Sequence, residues 1–548
     1  MRAIAIASCL SGLFACSASS GVDETPPTIE ITSPARGTFA SGMQVQLTGF
    51  VHDDSPGVIA RINGQDITPA ADGSFEAMVD VTEGISIIES FAVDKAQNQA
   101  RDVRAVMAGT LGTSDGSQVS PLGARVGAQT FGKLGIALGT MAEGMNWTEI
   151  GRAMNPVYNS SGCNSAKIDI ETITLSNVDV KLITSAGKLT ANVELANVVV
   201  DMDTDFRAVC ISGSTSVQVR ATKAKINGDL ALAVKNGAVE ATLPAATVQL
   251  EGFALNVGGV PGAIEDLIES EARKAVEKAL TNAIKDKVPE LANEQLSGLL
   301  AKPFAANVLG HGVTLTTAPK IIDLSPEGLF VAVDTKVKVT GGEGGMYVAS
   351  PSPMTSALMP TTGIGAAIAN DTINQLFSGL WAAGAIDQTI GLDGQFAVLA
   401  ALLDDDAASL AISASLPPTV FGDGAALGLA IGDLMISVKD SGGTEIQKIA
   451  LSIKTSLQAS PTQTGAVTLT VGQPTLYAQV INQNLDIVDR PMTDEQFEGI
   501  INGAWGLVGG QADAALAGLT MPSIGGVTLG APSLTGNAGY LVADIPIQ

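Results

Sequence analysis

Gly312-Val313-Thr314-Leu315, past the middle of the chain, returns as Gly526-Val527-Thr528-Leu529 near its end. Ala318-Pro319 returns as Ala531-Pro532, and Gly328-Leu329-Phe330-Val331-Ala332-Val333-Asp334 is answered by Gly539-Tyr540-Leu541-Val542-Ala543-Asp544. Self-similarity at a long period marks a duplicated structural unit. Around each copy the same order of patterns is met. In the first, residues 122–145 place Leu122, Val126, Leu134, Leu138, Met141 and Met145 on one stripe, which predicts a helix. Period-two runs follow between 168 and 243, among them Val178/Val180/Leu182 and Leu189/Ala191/Val193/Leu195. Their phase slips predict bulges and a strongly curved antiparallel sheet. Residues 261–288 predict a second helix started by Pro261, with Ile264, Leu267, Ile268, Val276, Leu280 and Ile284 on its apolar face. Pro289 should end it, leaving 290–300 as a short helix of its own. The second copy predicts a strand pair over 313–339, a helix over 364–383, strands from 396 to 480, a helix over 493–519 and closing strands to 548. The expected units are residues 122–311 and 312–548.

The chain has 548 residues, which at about 150 residues per domain suggests three or four units. Hydrophobic residues make up 46% and charged residues 16%, so disorder is not expected. Apolar runs near 398–403 and 425–431 are far shorter than the ~18 residues of a membrane span. A net charge of -25 repels nucleic acid and disfavours anionic lipid head groups. With only two histidines, His52 and His311, histidine-based triads and metal sites lack raw material, and no enzyme is expected.

Arg2 followed by small apolar residues reads as a signal peptide over 1–15, and Leu13-Phe14-Ala15-Cys16 resembles a bacterial lipobox. Cys16 is then the expected lipidation site. Ile6-Ala7-Ser8-Cys9 is a rival with too short a hydrophobic core, and a plain secretory signal is the simpler alternative. By resemblance to the lipoprotein sorting rule of Gram-negative bacteria, Ser17 after the cysteine implies the outer membrane, with 16–25 as a tether. Cys163 and Cys210 are the remaining thiols, which an oxidising compartment would pair; the alternative is two free buried thiols. Residues 26–108 carry short alternating runs, such as Val45/Leu47 and Phe75/Ala77/Val79/Val81, that predict an all-β sandwich. Residues 109–121, rich in Gly, Ser and Thr, read as a linker.

Thr25-Pro26-Pro27-Thr28-Ile29, Asp72-Gly73-Ser74-Phe75 and Val93-Asp94-Lys95-Ala96-Gln97-Asn98 resemble bacterial immunoglobulin-like domains. The two tandem units, the duplicated closing strands and the Cys163/Cys210 pair resemble the tubular lipid-binding superfamily of bactericidal/permeability-increasing and lipid-transfer proteins. That resemblance implies an α+β two-lobed module in which long helices are wrapped by highly twisted sheets, with an apolar tunnel between helix and sheet. It implies ligand contacts from Val126, Phe131, Leu134 and Leu138 in the first unit, and from Ile368, Ile373, Leu376, Phe377, Leu380 and Trp381 in the second. The expected partner is a lipid or other hydrophobic small molecule, with the membrane reached through the N-terminal acyl anchor and no cofactor; the strong acidity departs from relatives that bind lipopolysaccharide through a basic tip. A structural or adhesive protein with filled lobes is the alternative, and oligomeric state stays open.

Four motifs are read as structural. Gly112-Thr113-Ser114-Asp115-Gly116 matches a nucleophile elbow without a partner histidine. His52-Asp53-Asp54 reads as a solvated turn rather than a metal loop. Asp201-Met202-Asp203-Thr204-Asp205 lacks the later residues of a calcium loop and reads as a solvated strand end. Asp404-Asp405-Asp406 reads as a like-charge turn that must face water.

Overall fold

The computed structural model describes residues 23–258, 262–300, 304–350, 354–423, 426–461, 467–516, 533–537 and 539–546. The chain forms two compact units: Met1–Ala35 with Gln44–Val81 and Ile87–Arg104, and Arg36–Met43 with Thr82–Ser86 and Ala105–Gln548.

The smaller unit is a β-sandwich. Strands Thr28–Ser33, Gln44–His52 and Ser74–Asp80 make one antiparallel sheet; Ile59–Ile62 and Gln65–Ile67, with parts of Gly84–Val93 and Gln99–Ala108, make the other. Alternation puts Ile31, Val45, Leu47, Val51, Phe75 and Val79 inside from the first sheet and Ile62, Ile88, Ala92 and Val103 from the second.

At the centre of the larger unit lies a seven-stranded sheet in the order Phe304–Val308, His311–Ser325, Gly328–Val339, Ser117–Gly127, Ile364–Ala369, Tyr540–Ile545, Ser533–Asn537. Its middle pair is antiparallel, with Leu122 opposite Ile368, Ala124 opposite Ala366 and Val126 opposite Ile364. Each middle strand runs directly into a helix, α1 (Ala128–Glu143) or α4 (Asn370–Ala382). Each is flanked outside by a hairpin that includes repeated letters. Gly328 and Gly539, equivalent in the repeat, both turn at positive φ, 136° and 84°. At Gly328 a Cβ would come within 2.0 Å of the Val126 carbonyl, so only glycine allows the hairpin to close on the middle strand.

The helices expected over 122–145 and 364–383 are therefore each a strand followed by a shorter helix. Leu122 and Val126, like Ile364 and Ile368, stand four residues apart. That even spacing lies on one face of a strand as well as on one face of a helix. Pairing with each other decides for the strand.

In the first lobe α1, α2 (Trp147–Arg152) and α3 (Gly262–Leu300) accompany an eight-stranded sheet. Lys188–Ala208 and Ile211–Lys235 pair from Leu189↔Leu230 to Ala208↔Ile211, and shorter strands attach to different stretches of them, which curls the sheet. Ile268, Ala272, Val276, Leu280 and Ile284 of α3 join Ile168, Leu195, Val200, Val219 and Ile226 of the sheet in one core. Contrary to expectation α3 runs on through Pro289, whose missing amide and ring clash disfavour a helix interior. Val288 and Ala292, packed on the same core on either side, hold the helical course.

The second lobe repeats the plan with seven strands, Gln388–Gly391, Ser409–Ala414, Thr419–Asp423, Ala426–Lys439, Glu445–Pro461, Val467–Val471 and Thr475–Gln483. Helices α5 (Ala397–Leu403) and α6 (Asp494–Leu516) accompany them. The protein is thus mostly β, a sandwich and two curled sheets. The 109–121 stretch, expected to link, contributes strand Leu111–Thr113, paired with Met346–Val348, and the start of Ser117–Gly127.

Candidate functional site

Helix α6 opens with a capping box: the Thr493 hydroxyl accepts from the Gln496 amide (3.3 Å) and Gln496 Oε1 from the Thr493 amide (3.0 Å). Asp494 and Glu498, one turn apart, accept the amides of Val480 and Ala478 (2.7 Å each) and so tie the helix to strand Thr475–Gln483. Phe497 and Ile501 enter the core with Ile436, Ile449 and Leu451. The neighbouring positions 499 and 503 are glycines, both exposed, and a Cβ on either would meet nothing within 4 Å. Opposite, α5 buries Leu399 and Leu403 but leaves Val398 68% and Leu402 46% exposed. Between α5 and α6 lies an open cleft of about 620 Å³, lined by Val398, Leu402, Met492, Gly499, Ile500 and Gly503 among others.

The polar rim is already committed. The Arg490 guanidinium donates to the Ala401 carbonyl (2.6 Å) and to Asp405 (2.7 Å). Asp404, expected to face water, is only 1% exposed. Its carboxylate accepts from the amides of Asp406 (3.1 Å), Asp489 (2.9 Å) and Arg490 (3.3 Å), which replace the water it gives up. The cleft therefore offers apolar contact over an ordered floor. Its volume is in the range of small-molecule sites.

The residues expected to line tunnels stand as follows. Val126 lies on strand Ser117–Gly127, not on a helix; Phe131 on α1 is buried in the first-lobe core, with Val126, Leu134 and Leu138 partly buried against it. Ile368 lies on strand Ile364–Ala369. On α4, Leu376, Phe377 and Leu380 pack with Val313, Val337 and Val339 of the repeated hairpin, while Ile373 and Phe377 pack with Val420, Leu427 and Leu457 of the second lobe. Trp381 donates to the Ala414 carbonyl (2.7 Å). The polar side of α4 is equally engaged: Thr372 donates to Gln118 (2.7 Å), and Asn374 both donates to and accepts from the Val420 backbone (3.1 and 2.7 Å). The α5–α6 cleft draws on none of these residues. Its signal in the sequence was the Gly499/Gly503 pair four residues apart on α6, facing an α5 apolar on more than one side.

Cys16 lies outside the described residues. Cys163 and Cys210 form a disulfide, and the Cys210 amide donates to the Cys163 carbonyl (2.9 Å). Cys210 sits in the turn between the two long first-lobe strands, so the bond ties that tip to the chain before Ser165–Thr174. Ser114 of the elbow-like motif donates its hydroxyl to the Gly342 carbonyl (2.7 Å), a structural role. Asp201 lies within strand Lys188–Ala208 rather than at its end. Hydrogen bonds from Gln218 and Thr172 hold its carboxyl below the usual carboxylate range.

Residues 27–110 match the family model of glucodextranase, domain B. No curated protein matches the sequence. Among solved structures the chain is similar to lipopolysaccharide binding protein, with 14% identity and a TM-score of 0.46 over 78% of this chain and 99% of that one. It is also similar to P47 of Clostridium botulinum E1, with 8% identity and a TM-score of 0.25 over 79% of this chain and 100% of that one.

Proposed function

We propose that the protein binds a lipid or other hydrophobic small molecule, with an acyl chain seated between helices α5 and α6 in the open cleft. The cleft itself carries the reading: Val398 and Leu402 are large, exposed and convergent on a floor that two glycines keep open. An exposed apolar surface of this kind is costly in water and gains when covered. Each buried methylene contributes about 0.8 kcal/mol, so ten of them suffice for micromolar binding without a polar anchor. The family resemblance extends the proposal to the helix–sheet boundary of the first lobe, where Leu134 and Leu138 are partly buried. In the same reading Cys16 carries the acyl anchor that keeps the module at the outer membrane, and the ligand is shuttled or held there.

The test is titration with a fluorescent fatty acid. Saturable binding is expected in the parent, and Gly503→Leu, which fills the cleft from its floor, should weaken it at least tenfold. The melting temperature should not fall, because leucine is favoured over glycine in a helix by up to about 1 kcal/mol. No saturable binding in the parent, or undiminished binding in the variant, would overturn the proposal.

A further inference from the structure

The turn His52-Asp53-Asp54, read above as solvated, is not solvated at its centre. Both carboxylate oxygens of Asp53 are shut off from solvent, and neither has a hydrogen-bond partner. Beside it stand two more carboxylates, Asp23 and Asp94, the latter only 3% exposed. One oxygen from each of the three lies within 4.8 Å of the others. A carboxylate removed from water without a partner is among the most unfavourable arrangements a fold can hold, and two neighbouring carboxylates make it worse. The other such acidic cluster among the described residues, Asp404 with Asp406 and Asp489, shows the usual remedy: backbone amides turn inward to the buried oxygens. At Asp53 no such amide is supplied.

We propose that Asp23, Asp53 and Asp94 bind a calcium ion at one end of the sandwich. The donors are all oxygens, the set preferred by hard cations. Calcium accepts carboxylate oxygens in flexible coordination of about six to eight ligands, whereas magnesium demands near-ideal octahedral geometry and gives up its water reluctantly, so a site built from three carboxylates favours calcium. The surroundings hold the ligands in place from behind. The Asn98 amide donates to Asp94 Oδ1 (2.8 Å), and its side chain donates to Asp94 Oδ2 (2.7 Å) and to the Asp23 carbonyl (2.8 Å). Ser55 donates to Asp23, whose carboxyl is thereby held below the usual range. Bound calcium would join three chain segments: the start of the sandwich, the turn after strand Gln44–His52, and the turn after Gly84–Val93.

The experiment is calorimetric titration of the chelator-treated full chain with calcium and, separately, magnesium, up to about 5 mM, above the weakest affinity class of such sites. One calcium per chain is expected, with weaker or no magnesium binding, and a rise in the first melting transition on adding calcium. Asp53→Asn should abolish that binding while raising the melting temperature in chelator, because it removes the unpaired buried charge. Asp94→Asn gives the second variant, expected to bind at least tenfold more weakly. A parent that takes up no calcium, or an Asp53→Asn protein that binds as the parent does, would overturn the assignment. Equal affinity for magnesium would overturn the choice of ion.

Discussion

Asp433 shows what a single buried charge can do in this fold. It is 1% exposed, sits at a φ of 44° in the bulge between Ile431 and Leu434, and pairs with Arg36 at 2.6 Å. Its other oxygen accepts the Ala105 amide at 3.1 Å. Arg36→Ala would leave that carboxylate buried without its cation, and a loss of about 3–5 kcal/mol is expected, read from urea denaturation of the larger unit. A surface pair such as Arg61–Asp66 should lose under about 1 kcal/mol on the same treatment. Asp371 makes the opposite case. Burial raises its carboxyl pKa, the Ser350 amide opposes this, and the Glu83 charge adds to the rise. The folded state therefore holds that proton more tightly than the unfolded one. Stability falls as pH rises from the ordinary carboxylate range through the raised value, and the penalty is fully present above it. Asp371→Asn should be at least as stable as the parent at neutral pH, with a flatter pH profile of melting temperature in that window. Neither site was legible in the sequence. The letters Asp404-Asp405-Asp406 say only that charges repel; that Asp404 is buried depends on amides 85 and 86 residues further on.

At the scale of elements, two of the three glycines of α1 have opposite meanings. A Cβ on Gly135 would come 2.3 Å from the Val180 carbonyl of the adjoining strand, whereas one on Gly132 would meet nothing within 4 Å. Gly135→Ala should therefore cost about 1–3 kcal/mol by forcing helix and strand apart. Gly132→Ala should stabilise by up to about 1 kcal/mol, both measured by thermal melting. Helices here also serve as edge guards: Glu143 accepts the Val178 amide (3.0 Å), and Asn293 accepts from and donates to the Ala241 backbone (2.6 and 3.2 Å). Element type was legible wherever a period was sustained, as in the long first-lobe strands. It was misread at Leu122/Val126 and Ile364/Ile368, because a spacing of four fits both periods and only the partner strand resolves it.

At the scale of the molecule, the repeated letters proved the most informative part of the sequence. Those that fall within the described residues belong to the two hairpins that flank the middle pair of the central sheet, so the duplication in sequence is an approximate twofold arrangement of strands; Gly526-Val527-Thr528-Leu529 and Ala531-Pro532 lie outside the described residues. The cleft was not legible in this way, since it exists only where α5, set by the turn before Ser409–Ala414, crosses the glycine face of α6. Its consequence is the central claim, that this fold carries a hydrophobic ligand. Organic extraction of the purified protein, followed by mass spectrometry of the extract against the protein concentration, tests it most directly. The account predicts lipid or another apolar small molecule in near-stoichiometric amount from the parent and much less from Gly503→Leu. An extract empty of such molecules, from a parent that also fails to take them up on incubation with vesicles, would contradict it.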